Sequence, residues 1–122
     1  MKTSILLLRI VFGAFFCFAG LMHFLKPKFF ANFIPDFFSK RFANWSVGSL
    51  ELVLGLFIFS NAWANFAALG MMILLLLLTP IHIWDYLKEK PAIGSKKVAL
   101  VRIPFQFLLI YGAYLIYLNT YS

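Results

Sequence analysis

The chain has 122 residues, of which 63% are hydrophobic and only 12% are charged, whereas an average soluble domain is about 25% charged. A soluble fold of this length would expose large apolar patches, so the composition excludes an ordinary soluble domain and indicates a membrane protein. The net charge of +7 does not indicate nucleic-acid binding, because the basic residues form two short clusters between apolar segments rather than one basic face.

Four apolar segments are long enough to cross a hydrocarbon core of about 30 Å at about 1.5 Å per residue. Within a single domain covering residues 1–122, we predict transmembrane helices at residues 5–25, 47–64, 66–87 and 98–118. The first segment begins like a signal peptide, but Arg9 interrupts a run of spanning length, so we expect it to be retained as a helix. The predicted fold class is all-α, an integral membrane antiparallel four-helix bundle.

The connection between the first two predicted helices, residues 26–46, alternates phenylalanines with basic residues and contains Pro27 and Pro35. Aromatic residues beside basic residues suit the headgroup boundary of a lipid bilayer, so we expect this connection to form short turns in the interface. The positive-inside rule predicts that the two basic connections are cytoplasmic and that the N- and C-termini lie outside. The basic residues of these two connections are Lys26, Lys28, Lys40, Arg41, Lys88, Lys90, Lys96 and Lys97.

Polar residues within the predicted helices lie at similar depths. An ionisable side chain at mid-bilayer costs at least about 2.5–3.5 kcal/mol, so it usually faces a partner or a cavity. His23 and Glu51 flank the first basic connection, and His82 precedes the second, which Arg102 and Gln106 follow. Because consecutive helices alternate in direction, all five fall at the cytoplasmic end of the predicted bundle. These five residues are our candidate ligand-binding residues.

Charge balance predicts that Glu51 pairs with Arg102. The two histidines are expected either to hydrogen-bond to this pair or to titrate near neutral pH. Arg9 is expected to extend outward to the opposite interface, and Asp85 to be solvated beside the loop. An alternative is that the cluster only fixes the register of the helices and binds no ligand. A metal site is disfavoured, because the histidines and carboxylates stand on different helices without a local ligand motif, and a haem would need a large cavity in a small bundle.

Glycines at steps of three and four share the faces of these polar residues on the first two predicted helices. Small residues let neighbouring helices approach closely, so we assign to helix packing Gly13, Gly20, Gly48 and Gly55. Cys17 is the only cysteine, which excludes a disulfide within the chain and a dithiol oxidoreductase.

Five segments, RIVFG, FAGLMHF, GSLELVLG, TPIHI and VRIPFQ, stand in this order over nearly the whole chain. Together they resemble the DoxX-like membrane proteins. The resemblance implies a four-helix protein of the bacterial inner (cytoplasmic) membrane. It places the characteristic residues of that family at Arg9, Gly13, Gly20, His23, Pro35, Gly48, Glu51, Gly55, Pro80, His82, Arg102, Pro104 and Gln106.

The DoxX-like name is linked to subunits of thiosulfate:quinone oxidoreductase, so the resemblance implies a redox-associated subunit. Our first hypothesis is that the chain binds a quinone or a similar lipophilic molecule at the polar cluster. His23, His82 or Gln106 would donate to a quinone oxygen, and Arg102 would stabilise a reduced anion. Because the chain has no flavin, haem or dithiol signature, it would be at most an accessory subunit with a membrane or cytoplasmic redox partner.

The alternative is an assembly or chaperone-like protein that binds other membrane segments through its glycine-lined faces and phenylalanine-rich connection, without chemistry of its own. A small multidrug transporter fits less well, because such transporters carry the key acid in the first helix and Glu51 is in the second. The sequence leaves open the identity of the ligand, whether any reaction occurs, and whether the chain forms a homo-oligomer.

Overall fold

The computed structural model describes residues 2–120, and every regular element in this part of the chain is a helix. Five helices follow one another, four of them long and one of five residues. In chain order they are α1 (Thr3–Leu25), α2 (Pro27–Ala31), α3 (Lys40–Phe57), α4 (Ala64–Leu87) and α5 (Lys96–Asn119). The all-α class predicted from the sequence is therefore confirmed.

Three of these helices, α1, α4 and α5, are long and apolar enough to cross a membrane, which fits a multi-pass membrane protein. They contain the segments predicted as helices at residues 5–25, 66–87 and 98–118. The fourth long helix, α3, is less apolar, because its first half contains Lys40, Arg41 and Asn44.

The bounds of α3 differ from the helix predicted at residues 47–64. The side chain of Ser39 caps its start by accepting a hydrogen bond (3.3 Å) from the backbone N–H of Phe42, which satisfies a donor that a helix start leaves free. The helix therefore begins inside the segment predicted as an interfacial loop. It ends at Phe57, where the N–H of Ser60 bonds back to the carbonyl of Phe57 (3.0 Å) and turns the chain towards α4. The predicted bounds were wrong at both ends.

The long helices form two antiparallel pairs, α1 with α3 and α4 with α5. Glycines lie along the contact of the first pair. A Cβ added at Gly20 would lie 2.6 Å from the backbone nitrogen of Leu52, and one added at Gly55 would lie 2.7 Å from that of Cys17. A Cβ at Gly48 would lie 2.7 Å from that of His23. Only glycine permits so close an approach of two backbones.

The structure thus places Gly20, Gly48 and Gly55 between α1 and α3. Gly13 faces Ile58 and Phe59, directly after the end of α3. All four glycines assigned to helix packing therefore lie where α1 meets α3 or its C-terminal extension.

The two pairs contact each other through α3 with α4 and through α1 with α5, whereas among the described residues α3 and α5 do not pack on one another. The hydrophobic core fills the half of the molecule around Phe16, Ile58, Met71 and Ile116. We call this half the core end; it also contains Arg9, Asn65 and Thr120. The opposite half, which carries the connections of residues 26–39 and 88–95, is the loop end.

Candidate functional site

A cavity of about 600 Å³ occupies the loop end, between the long helices and the two connections. Phenylalanines and aliphatic side chains form most of its wall, among them Phe16, Phe30, Phe33 and Leu78. Its polar lining side chains, within the described part of the chain, are His23, Glu51, His82, Arg102 and Gln106. The structure therefore brings all five candidate residues to the wall of one cavity, as expected from their shared depth.

His23 joins α1 to α3 through two polar contacts. Its Nδ1 lies 2.8 Å from Oδ1 of Asn44, and its Nε2 lies 3.0 Å from Oε1 of Glu51. The second contact has the distance of an ion pair but not the alignment of a hydrogen bond, so Glu51 Oε1 has no aligned donor among the described residues. The ring of His23 also stacks on Phe30, with 3.8 Å between ring centroids.

Asn44 orients the ring of His23. The side-chain nitrogen of Asn44 donates to the carbonyl of Pro27 (3.2 Å), so its oxygen faces the imidazole and accepts a hydrogen bond from Nδ1. Nε2 of the same ring therefore faces Glu51 Oε1, and His23 contacts two positions of α3.

Gln106 is completely buried on α5 and reaches across to α4. Its side-chain nitrogen donates to the carbonyl of Leu75 (2.7 Å), which also accepts from the hydroxyl of Thr79 (2.8 Å). The side-chain oxygen of Gln106 has no hydrogen-bond partner in the described part of the chain. Gln106 is therefore a cavity-lining residue with an unused acceptor.

Arg102 does not pair with Glu51, so the predicted ion pair was wrong. Among the described residues no carboxylate lies within ion-pair distance of its guanidinium, and the buried Nη1 has no hydrogen-bond partner. Its guanidinium carbon lies 5.2 Å from the ring centroid of Phe105. The reason is the helix arrangement: Glu51 on α3 neighbours α1 and meets His23, whereas α5 does not pack on α3.

His82 lines the cavity from α4, with its ring 5.9 Å from that of Phe33 in an edge-to-face contact. One of its two predicted roles was to hydrogen-bond to a Glu51–Arg102 pair, which does not form. His82 therefore contributes to the cavity wall on the side of the phenylalanine-rich connection.

Asp85 is not solvated, contrary to expectation. It is buried and accepts hydrogen bonds from the backbone N–H groups of Ala92 (2.7 Å) and Ile93 (3.3 Å). Lys88 lies 3.4 Å from the same carboxylate and donates to the carbonyl of Asn32 in the other connection. Asp85 and Lys88 therefore hold the two connections in place above the cavity and do not line it.

Arg9 does not extend outward, and this prediction was also wrong. It is buried at the core end, where its Nε donates to the carbonyl of Ile58 (3.0 Å) and its Nη1 to the side-chain oxygen of Asn61 (3.1 Å). Carbonyls at a helix C-terminus lack intrahelical partners. The guanidinium satisfies one of them and caps the end of α3, so Arg9 has a structural role.

The main residue missed by the sequence analysis is Asn44, which orients His23. It was assigned to an interfacial loop because α3 was predicted to start at residue 47. Its spacing contained the signal, since Asn44, Gly48, Glu51 and Gly55 follow steps of four, three and four on one helix face. In the described residues no group of three or more His, Cys, Asp or Glu side chains is arranged to hold a metal ion.

The helices and the cavity together define an all-helical protein of multi-pass membrane character with a mostly apolar cavity at one end. A protein-family model described as "Domain of unknown function (DUF8561)" matches residues 12–117. Because the match covers most of its length, the chain belongs to this family. No curated protein and no solved structure matches it.

Proposed function

We propose that the protein binds a lipophilic small molecule with a compact polar head, of the quinone type, in the cavity at the loop end. The observation that carries this proposal is a set of unpartnered polar atoms. Arg102 Nη1 and Gln106 Oε1 are buried without a hydrogen-bond partner in the described chain, and both residues line the cavity.

The free-energy cost of burying these polar groups without partners favours a bound ligand. A buried donor or acceptor without a partner costs about 1–3 kcal/mol, and more if it is charged. A bound head group that offers hydrogen bonds to Arg102 and Gln106 would remove this cost, while an alkyl or prenyl tail would contact the phenylalanine-rich wall. Because no carboxylate among the described residues lies within ion-pair distance of Arg102, its guanidinium gives this part of the cavity wall a positive charge, which favours an oxygen-rich head.

We also propose that α3 crosses the membrane with the other three long helices, as an antiparallel four-helix bundle. This helix runs beside α1 from the level of His23 to that of Arg9, so it is embedded over the depth that α1 spans. The basic connections at the loop end support a cytoplasmic location for the cavity and outside termini, in a bacterial inner membrane. The DoxX resemblance adds the proposal that the protein acts as an accessory, redox-associated subunit.

The proposal is tested by purifying the protein in lipid nanodiscs and identifying co-purified small molecules by mass spectrometry, followed by titration with decyl-benzoquinone and decyl-hydroquinone. We expect saturable binding in the wild type, strongly weakened binding in Arg102→Ala, and unchanged binding in the control Arg41→Ala. Arg41 is exposed, contacts Trp45 and does not line the cavity. Absence of any retained amphiphile together with absence of saturable binding of both probes contradicts the proposal.

The assembly or chaperone-like role is a second candidate, favoured by exposed phenylalanines at the loop end. Phe37, Phe42 and Phe29 are exposed by 82%, 72% and 66%, which suits contact with lipid or with another protein. Cross-linking in native membranes distinguishes this role, because it requires a defined protein neighbour even when the cavity is occupied. Substituting Phe37 with serine would then abolish the cross-link, whereas Arg102→Ala would not.

A further inference from the structure

The amide of Gln106 can adopt only one orientation. Its nitrogen donates to the carbonyl of Leu75 at 2.7 Å. A flipped amide would place Oε1 against that carbonyl oxygen, and two acceptors repel at such a distance. Because the residue is completely buried, no solvent donor stabilises the flipped form. Oε1, which has no partner among the described residues, is therefore a fixed acceptor on a residue that lines the cavity.

Arg102 supplies a hydrogen-bond donor, whereas Gln106 supplies an acceptor. A guanidinium has donors only and stays charged, so its buried, unpartnered Nη1 is a fixed donor. Arg102 and Gln106 are four residues apart on α5, where Cβ atoms on one helix face lie about 5–6 Å from each other. The cavity wall thus carries one donor residue and one acceptor residue side by side on α5.

We propose that the cavity selects amphiphiles whose head carries a hydroxyl group, of the phenol or hydroquinone class, over matched molecules whose head oxygens only accept. The hydroxyl would donate to Gln106 Oε1, and an oxygen of the same head would accept from Arg102. A quinone or an ether satisfies Arg102 but places an acceptor beside Gln106, whose oxygen stays unpaired. This inference rests on the proposed function, because it specifies the ligand class of the same cavity.

The preference is expected to be large. A site built to hydrogen-bond a hydroxyl discriminates strongly against the analogue that lacks it, because the buried group is then left unpaired. We expect a tenfold or greater difference in dissociation constant. No electron or proton transfer is implied, since the preference concerns equilibrium binding alone.

The test uses two redox-inert probes, 4-octylphenol and its methyl ether 4-octylanisole, titrated calorimetrically into the wild-type protein in lipid nanodiscs. The two molecules share the ring, the tail and the acceptor oxygen, and only the phenol has a donor. The expected result is at least tenfold tighter binding of the phenol. Equal affinities overturn the inference while leaving the binding of lipophiles intact. If neither probe binds saturably, the inference also fails, and the titration with decyl-benzoquinone and decyl-hydroquinone decides the proposed function separately.

The variant Gln106→Leu tests whether Gln106 causes the preference for the phenol over its methyl ether. In Gln106→Leu the phenol should bind no tighter than the anisole, because the acceptor is gone. The neighbouring change Phe107→Leu, at an exposed position of the same helix, should leave the preference unchanged. A preserved preference in a folded Gln106→Leu protein overturns the assignment to Gln106. If that variant does not fold, the wild-type comparison still decides the inference, since it needs no substitution.

Discussion

The core end and the loop end both bury polar side chains, but they differ in how these are satisfied. At the core end, Arg9 donates to Ile58 and Asn61, and Asn65 donates to two carbonyls near the end of α5. At the loop end, Arg102 and Gln106 each bury an atom without a partner in the described chain. Burial of a polar group therefore does not by itself indicate a binding site in this protein; burial without a partner does.

Hydrogen bonding to helix ends explains why the buried polar side chains of the core end have partners. A helix leaves its last four carbonyls without intrahelical donors, and the donors at the core end reach carbonyls of this kind. Nε of Arg9 meets Ile58 after α3, while Nδ2 of Asn65 meets Tyr117 (2.8 Å) and Thr120 (2.6 Å) around the end of α5. The polar side chains of the core end thus hydrogen-bond within the chain, and we assign to them a role in stability.

The largest expected effect is at the core end. Replacing Arg9 with methionine removes its hydrogen bonds and leaves the buried carbonyl of Ile58 without that donor. We expect the free energy of unfolding to fall by about 3 kcal/mol, measured by reversible denaturation in mixed micelles. The exposed control Arg41→Met should change it little. A stable Arg9→Met protein would contradict the structural assignment of this end.

A smaller loss is expected for Asn44→Leu, which breaks the contacts to His23 and Pro27. The free energy of unfolding should fall by about 2 kcal/mol. The specific readout is the ¹⁵N spectrum of His23. In the wild type Nδ1 donates to Asn44 Oδ1, and in the variant this hydrogen bond is lost. An unchanged spectrum would show that Asn44 does not hydrogen-bond to the ring.

Asp85 lies at the loop end but has hydrogen-bond partners. Its substitution should therefore reduce stability, as expected for the polar residues of the core end. Asp85→Ala removes the acceptor for the N–H groups of Ala92 and Ile93 and should reduce the free energy of unfolding by about 1 kcal/mol. Hydrogen exchange of these two amides should rise at the same time. Probe binding should be retained, since Asp85 does not line the cavity, and complete loss of binding would contradict this separation.

The smallest effect on stability is expected for Arg102→Met. Its Nη1 has no partner to lose, so the free energy of unfolding should stay within about 0.5 kcal/mol of the wild type or rise. Binding of 4-octylphenol should weaken at least tenfold, measured by calorimetry in nanodiscs. Arg9→Met and Arg102→Met thus form a matched pair of arginine substitutions. A stability loss in Arg102→Met as large as that in Arg9→Met would erase the distinction between the two ends.

The helices that could be predicted from the sequence were those defined by the length of an apolar segment. The apolar runs predicted α1, α4 and α5, and the alternating direction of the predicted helices brought the five candidate residues to one depth. The bounds of α3 were not predictable in this way. Its start depends on capping by Ser39 within a polar stretch, and its end meets Arg9 from another helix.

Side-chain pairing could not be predicted either, because it depends on which helices are neighbours. Charge balance alone favoured Glu51 with Arg102, but α3 packs on α1 and not on α5, so Glu51 meets His23. The same applies to Asp85, whose partners are backbone groups that only the folded turn after α4 brings close.

The most direct test of a ligand site at the loop end is photoaffinity labelling. Wild-type protein in lipid nanodiscs is irradiated with a 4-alkylphenol that carries a diazirine in its tail, and adducts are located by peptide mass spectrometry. We predict adducts on cavity-lining residues such as Ala19, Leu78 and Ile81 that unlabelled 4-octylphenol abolishes. Adducts confined to outward-facing residues such as Leu7 and Leu108, and insensitive to competitor, would contradict the account.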